Sequence, residues 1–192
     1  MPRIETQTLA QHRDWRRHQL IDAAAAIALE SGGAAVSVSA VAQRAGMSRT
    51  SVYEYFASSA DLVADLIIEE LNGFAKILEN SVGQCSDPCT CIESWIEGAL
   101  RYIADGRHLL AKALNATDLP QDLAVHIGAA HRALLAPLTK GLKALGIQDV
   151  AQALAFIQAT TDVATKRIEA GHDAEAEIKS ATAFCISGLA AL

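Results

Sequence analysis

A chain of 192 residues, 51% apolar and 20% charged, is long enough to bury a substantial core. Its most apolar early stretch, Leu20 to Leu29, contains Asp22 and is far too short to cross a bilayer. Met1 to Arg17 lacks the apolar run of a signal peptide, so the expected location is cytoplasmic and no membrane partner is expected. The net charge of −6 argues against nucleic acid if taken as a whole. Its distribution does not: residues 1–58 are slightly basic and the acidic surplus lies beyond them, as suits a DNA contact confined to one end.

In chain order, residues 1–12 lack periodicity and read as a flexible arm. Asp14 to Ser31 reads as a helix rich in Ala, with Leu20, Ile21 and Ile27 inward, stopped by Gly32 and Gly33. Ser37 is placed to cap a second helix that carries Val38, Val41 and Ala42 inward and ends at Ala45-Gly46. Ser48 then caps a short third helix whose inner stripe is Val52 and Phe56. Helix, glycine turn and helix within about twenty residues is helix-turn-helix spacing. Ser59 is expected to cap a long helix reaching about Ser81. A break over 83–88 follows, then helical stretches at Cys91 to Ala104, His108 to Ala116, Gln121 to Leu145, Val150 to Ala170 and Ala174 to Leu192. Pro137 is positioned to kink or divide the third of these. Strand-period runs are missing, so the expected class is all-α.

The segment Ser37 to Phe56, SVSAVAQRAGMSRTSVYEYF, resembles the N-terminal domain of TetR/AcrR-type transcriptional regulators. Ser37, Val38, Val41, Ala42, Ala45, Gly46, Met47, Ser48, Val52, Tyr53, Tyr55 and Phe56 stand at matching places. Ile21 to Ala24 and Gly32 match the preceding helix, and Leu62 the following one. The resemblance spans about the first third of the chain and implies a three-helix DNA-binding domain at 1–58. It further implies a helical effector-binding and dimerisation domain at 59–192, a palindromic operator, and repression released by a small molecule. Three departures stand out: Ala28 and Gly33 replace frequent aromatics, Ser59 replaces a phosphate-reaching Lys, and Glu54 puts a carboxylate on the recognition helix.

In such docking the second helix of the motif enters the major groove. With Val52 and Phe56 inward, helical rotation exposes Arg49, Thr50 and Tyr53, with Ser51, Glu54 and Tyr55 nearer the flanks. Arg49 offers a fork that fits guanine O6 and N7, or a phosphate; Thr50 offers a methyl to thymine. The resemblance implies phosphate contacts for Tyr53 and Tyr55, with packing on the first helix the alternative for Tyr53. Ser37 and Ser48 lie at helix N-termini, where a phosphate is favoured. Arg44, Gln43, Arg13, Arg16 and Arg17 are backbone candidates, or simply a solvated face.

For an effector, Trp95, Tyr102, His108, His126, His131, Phe156 and Asp162 are the aromatic or polar-tipped candidates. For pairing, Ile178, Ala181, Cys185 and Leu192 form one stripe and Leu154, Ile157, Thr161 and Ala164 another. The same stripes would equally serve as core within one chain. Cys85, Cys89, Cys91 and Cys185 are expected as reduced thiols. The C-x3-C-x-C spacing fits no zinc pattern, and no metal or cofactor is expected; a thiol sensor or soft-metal site is the alternative. Nucleophile-elbow, H-E-x-x-H and glycine-rich phosphate-loop motifs do not occur, which disfavours an enzyme. A helical interaction module with weak or lost DNA binding is the remaining rival.

Overall fold

The structure, a computed structural model, describes residues 9–83, 85–114 and 120–192, and among these every regular element is helical. The elements are α1 (Leu9–Ser31), a 3-10 turn (Gly33–Ala35), α2 (Val38–Ala45), α3 (Arg49–Tyr53), α4 (Ser59–Val82) and α5 (Pro88–Ala104), followed by α6 (Leu109–Leu114), α7 (Gln121–Ala144), α8 (Val150–Glu169) and α9 (Ala174–Leu189). The all-α expectation holds. Helix α1 begins earlier than its periodicity suggests, so residues 9–12 are helical rather than part of an arm, and 1–8 lie outside the described residues. The expected end of α6 at Ala116 also falls outside them. Pro137 sits inside an undivided α7.

The chain packs as two compact units, one of residues 1–70 with 110–127 and the other of 71–109 with 128–192. This division by packing falls within α4.

In the first unit, Leu20, Ala24 and Ile27 of α1 join Val38 and Val41 of α2, Val52 and Phe56 around α3, and Leu62, Val63 and Leu66 of α4 in one core. Ala28, where a larger side chain would be usual, is buried at 1% exposure, so the core closes around the small residue. The local chain instructions are legible. The Ser37 hydroxyl accepts from Ala40 N, and Ser48 accepts from Ser51 N. Gly46 takes φ 66°, with Met47 N donating back to the Ala42 carbonyl, which ends α2 sharply. The cap of α4 differs from the sequence expectation. Ser58, not Ser59, accepts from Asp61 N at 3.1 Å, while the Ser59 hydroxyl accepts from Val38 N at 3.1 Å. Ser59 therefore satisfies an orphan donor at the start of α2 and ties α4 to it.

In the second unit, Leu78, Ile92, Ile96 and Leu100 pack with Leu138 and Leu142 of α7, Ile157 and Ala164 of α8, and Ile178 and Cys185 of α9. Asp87, Asp149 and Asp173 cap α5, α8 and α9. Helix α7 approaches α5 so closely that a Cβ on Gly141 would meet Ile92 Cγ1 at 2.9 Å. Because Ile92 is fully buried, it has little room to yield. Gly141→Val is expected to lower unfolding free energy by about 1–3 kcal/mol, measurable by urea denaturation; an unchanged midpoint would show that the two helices can part without cost.

Candidate functional site

The outer face of α3 is built by the two residues that cannot face outward. Val52 is 0% and Phe56 2% exposed, and helical rotation about them leaves Ser48, Arg49, Thr50, Tyr53 and Glu54 in solvent, with Ser51 and Tyr55 half-buried. Arg49 is oriented by Ser39 of α2, whose hydroxyl accepts from Nη2 at 2.6 Å. Nothing in the spacing of the sequence announced that partner. Ser48 Oγ also lies 3.0 Å from Ser51 Oγ, so the first turn of α3 carries a small hydroxyl pair besides its cap.

Beside this face, Glu54 and Tyr55 share a cleft with His12, Arg13 and Arg16 of α1, and the Arg13 guanidinium lies 5.9 Å from the centre of the Tyr55 ring. Glu54 thus shares its cleft with two arginines of α1. Two other arginines are spoken for. Arg44 donates to both carboxylate oxygens of Glu30 at 2.6 Å, pinning α2 to α1 and holding the Glu30 carboxyl below its usual range chiefly through those hydrogen bonds. Arg17 donates to Asp65, at 2.8 Å, and to Glu69 of α4, with its guanidinium 5.8 Å from the Phe56 ring centre. Both are bracing residues in this structure. Their carboxylate partners are far away in the chain, which is why a reading of charge alone counted these arginines among backbone contacts.

The effector candidates do not assemble into one cavity. Trp95 is buried, its indole donating to the Leu134 carbonyl at 3.3 Å. Tyr102 is buried and stacks on Phe74 with ring centres 4.1 Å apart. His108 Nε2 lies 2.8 Å from a Glu169 carboxylate oxygen, while its Nδ1 is buried without a hydrogen-bond partner among the described residues. His126, His131, Phe156 and Asp162 are exposed, and His126 belongs to the first packing unit.

The stripes expected to pair two chains face inward instead. Ile178, Ala181 and Cys185 are buried at 2%, 7% and 5% exposure and Ile157 at 1%, with Ala164 and Leu154 in or against the same core. Only Leu192 of the first stripe remains exposed; Leu189 takes its place in the core. The outward side of α8 and α9 is nonetheless apolar: Phe156, Val163 and Phe184 are 55%, 57% and 69% exposed. Between the helices, Phe156, Phe184, Gly188 and Leu192 line a groove of about 520 Å³. Both faces of these helices carry apolar side chains, so periodicity could not tell core from surface.

Residues 20–66 match the profile of the bacterial regulatory proteins of the tetR family. Across the whole chain, the solved structure of the transcriptional regulator FadR from Bacillus subtilis in complex with stearoyl-CoA is similar at a TM-score of 0.74 and 25% identity, over 89% of this chain and 98% of that one.

Residues 20–66 are thus a tetR-type segment, within a chain whose fold is that of solved transcriptional regulators.

Other solved structures are similar in fold. A TetR-like transcriptional regulator from Rhodococcus sp. RHA1 superposes with a TM-score of 0.71 at 20% identity, over 96% of this chain and 99% of that one. The superantigen PfiT shares the fold at a TM-score of 0.77 and 18% identity, over 88% and 95%. No curated protein matches the chain. The TetR-family segment coincides with the elements that present α3, from the middle of α1 into α4.

Proposed function

We propose that this chain is a TetR-type regulator that binds a palindromic DNA operator as a homodimer in the cytoplasm and is released from it by a small-molecule effector. One observation carries the DNA reading: α3 is anchored by fully buried Val52 and Phe56 while Arg49, Thr50 and Tyr53 are exposed to solvent around its outer side. The DNA-binding domain runs through residue 58, and 59–192 sense and pair. Arg49 reads a base edge; Thr50 packs beside it; Ser37, Ser48, Ser51, Tyr53 and Tyr55 meet phosphates, with Arg13 and Arg16 of α1 adding charge at the flank. Arg44 contributes by bracing α2 rather than by contact, unless it gives up Glu30.

Pairing uses the apolar outer face of α8 and α9, not the inward stripes. The exposed aromatic rings there supply the large apolar area such an interface needs, and an isologous contact of two helices from each chain would hold two α3 helices at half-site spacing. The FadR relative was solved with stearoyl-CoA. For this chain the reading places the effector near the Phe74–Tyr102 stack and His108, whose buried Nδ1 has no hydrogen-bond partner among the described residues and could serve as a polar anchor. The fold's relatives in transcription also make catalytic turnover an unneeded assumption.

Selection of bound duplexes from a random pool, followed by salt titration, tests this reading. A palindromic consensus with steep salt dependence is expected. On the selected duplex, Arg49→Ala should cost about 1–3 kcal/mol and relax preference at one position per half-site. Arg16→Ala should weaken selected and scrambled duplexes alike. Equal losses on both duplexes for Arg49→Ala would remove its reading role, and a pool with no enriched sequence would favour the interaction-module alternative.

A further inference from the structure

Cys85 and Cys91 are disulfide-bonded, with Cα atoms 5.4 Å apart, whereas Cys89 and Cys185 are free. This corrects the expectation of four separate thiols: the turn after α4 folds back so that the first and third cysteines of C-x3-C-x-C meet and the middle one is left over. We propose that the Cys85–Cys91 pair is a reversible oxidation site for hydroperoxides, and that its state sets the chain's affinity for DNA.

The pair is accessible and selective. Both residues are half-buried and both line an open cleft of about 560 Å³, with Glu79, Pro137 and Lys140 on its other walls. Cys185 is 5% exposed, and burial pushes its thiol pKa up. Burial, then Glu93 and Asp87, push the Cys89 thiol up as well, which lowers its thiolate fraction.

The bond also sits where it can matter. It ties the residues just after α4 to the first turn of α5. Helix α5 is itself seated hard on α7 through Ile92 against Gly141, and the end of α4 rests on α5 where a Cβ at Gly98 would meet Ser81 Oγ at 2.7 Å. Closing the bond therefore adds a covalent tie beside this packing, and opening it leaves the C-terminal end of α4 held by packing alone. The same helix runs without interruption back to Ser59, whose hydroxyl holds the start of α2.

The chemistry balances. One thiolate attacks the peroxide, giving a sulfenic acid and water; the second thiol attacks that sulfur, forming the disulfide and releasing a second water. Overall, two thiols and one hydrogen peroxide give one disulfide and two waters. A dithiol returns the pair to thiols by exchange and is itself oxidised to a disulfide.

The control of DNA affinity rests on the regulator reading; the thiol chemistry does not. Full-length protein would be reduced, treated with hydrogen peroxide, alkylated with N-ethylmaleimide and weighed intact, and its binding to the selected duplex measured in each state. Two of the four thiols should disappear, with peptide mapping joining Cys85 to Cys91, and dithiothreitol should restore all four. Affinity should differ about fivefold or more between the states. Cys85→Ser and Cys91→Ser should abolish both the thiol loss and the affinity difference, and Cys89→Ser should leave both intact. Four free thiols after peroxide, a bond to Cys89, or a pair that dithiothreitol cannot open would overturn the site. A pair that forms while affinity stays equal would overturn its role in control. If neither state binds any duplex, the regulator reading falls and takes the DNA control with it, while the thiol count still decides the redox pair.

Discussion

Phe184→Asp should convert the protein from dimer to monomer and remove operator binding with it. The ring is 69% exposed on the outer side of α9, beside Phe156 of α8 in the same apolar groove. Covering a side chain of this kind contributes roughly 2 kcal/mol. In an isologous interface the residue occurs twice, so its loss removes about 4 kcal/mol, close to a thousandfold in dimer dissociation. A carboxylate in its place adds a desolvation cost. Because the side chain is already largely in solvent within one chain, folding should be nearly unaffected, within about 0.5 kcal/mol. Sedimentation at micromolar concentration reads the assembly and duplex titration reads the consequence. A variant that stays dimeric would place the pairing surface elsewhere, and a wild-type chain that is monomeric at tens of micromolar would overturn the pairing itself.

Phe56→Ala should disable DNA binding from the inside. Phe56 is 2% exposed, lies in the core shared by α1, α2 and α4, and has the Arg17 guanidinium against its ring. Truncating a buried Phe costs about 3–5 kcal/mol, a large share of what a domain this small can have. The first unit should melt well below the wild type, seen as early loss of helical circular dichroism, and duplex binding should vanish at temperatures where the wild type still binds. Tyr53→Ala is the matched comparison on the same helix. Tyr53 is 57% exposed, so its loss should spare stability while weakening binding. If Phe56→Ala melts with the wild type, the inner anchor of α3 is not what holds it.

The contrast between those two helical regions explains what could be read in advance. The DNA-binding end was legible because its instructions are local. Ser37 and Ser48 reach backbone donors three residues on, Gly46 supplies the positive φ that ends α2, and Val52 and Phe56 lie one turn apart with polar neighbours between them. Each is a short-range preference that acts before any tertiary contact forms. The cap of α4 was misplaced by one residue because Ser58 and Ser59 are equally able to cap, and only the approach of Val38 N assigns Ser59 elsewhere.

Farther along, the decisive facts are contacts between distant residues. Arg44 and Arg17 looked like phosphate ligands until Glu30, Asp65 and Glu69 came within reach. Only the structure shows that Trp95 and Tyr102 are both buried, Trp95 on the Leu134 carbonyl and Tyr102 on the Phe74 ring. On α8 and α9, apolar side chains on both sides leave the helical period without a preferred face.

By itself, then, the order of residues determined the helical class, the helix-turn-helix and which side of α3 faces out, since caps, glycine turns and a single apolar stripe act over three or four positions. Tertiary structure alone decided which arginines are ion-paired within the chain, which apolar side chains of the last two helices stay exposed, and which two cysteines meet. Those outcomes depend on pairings across tens of residues or on the fold of one turn, and no local preference encodes them.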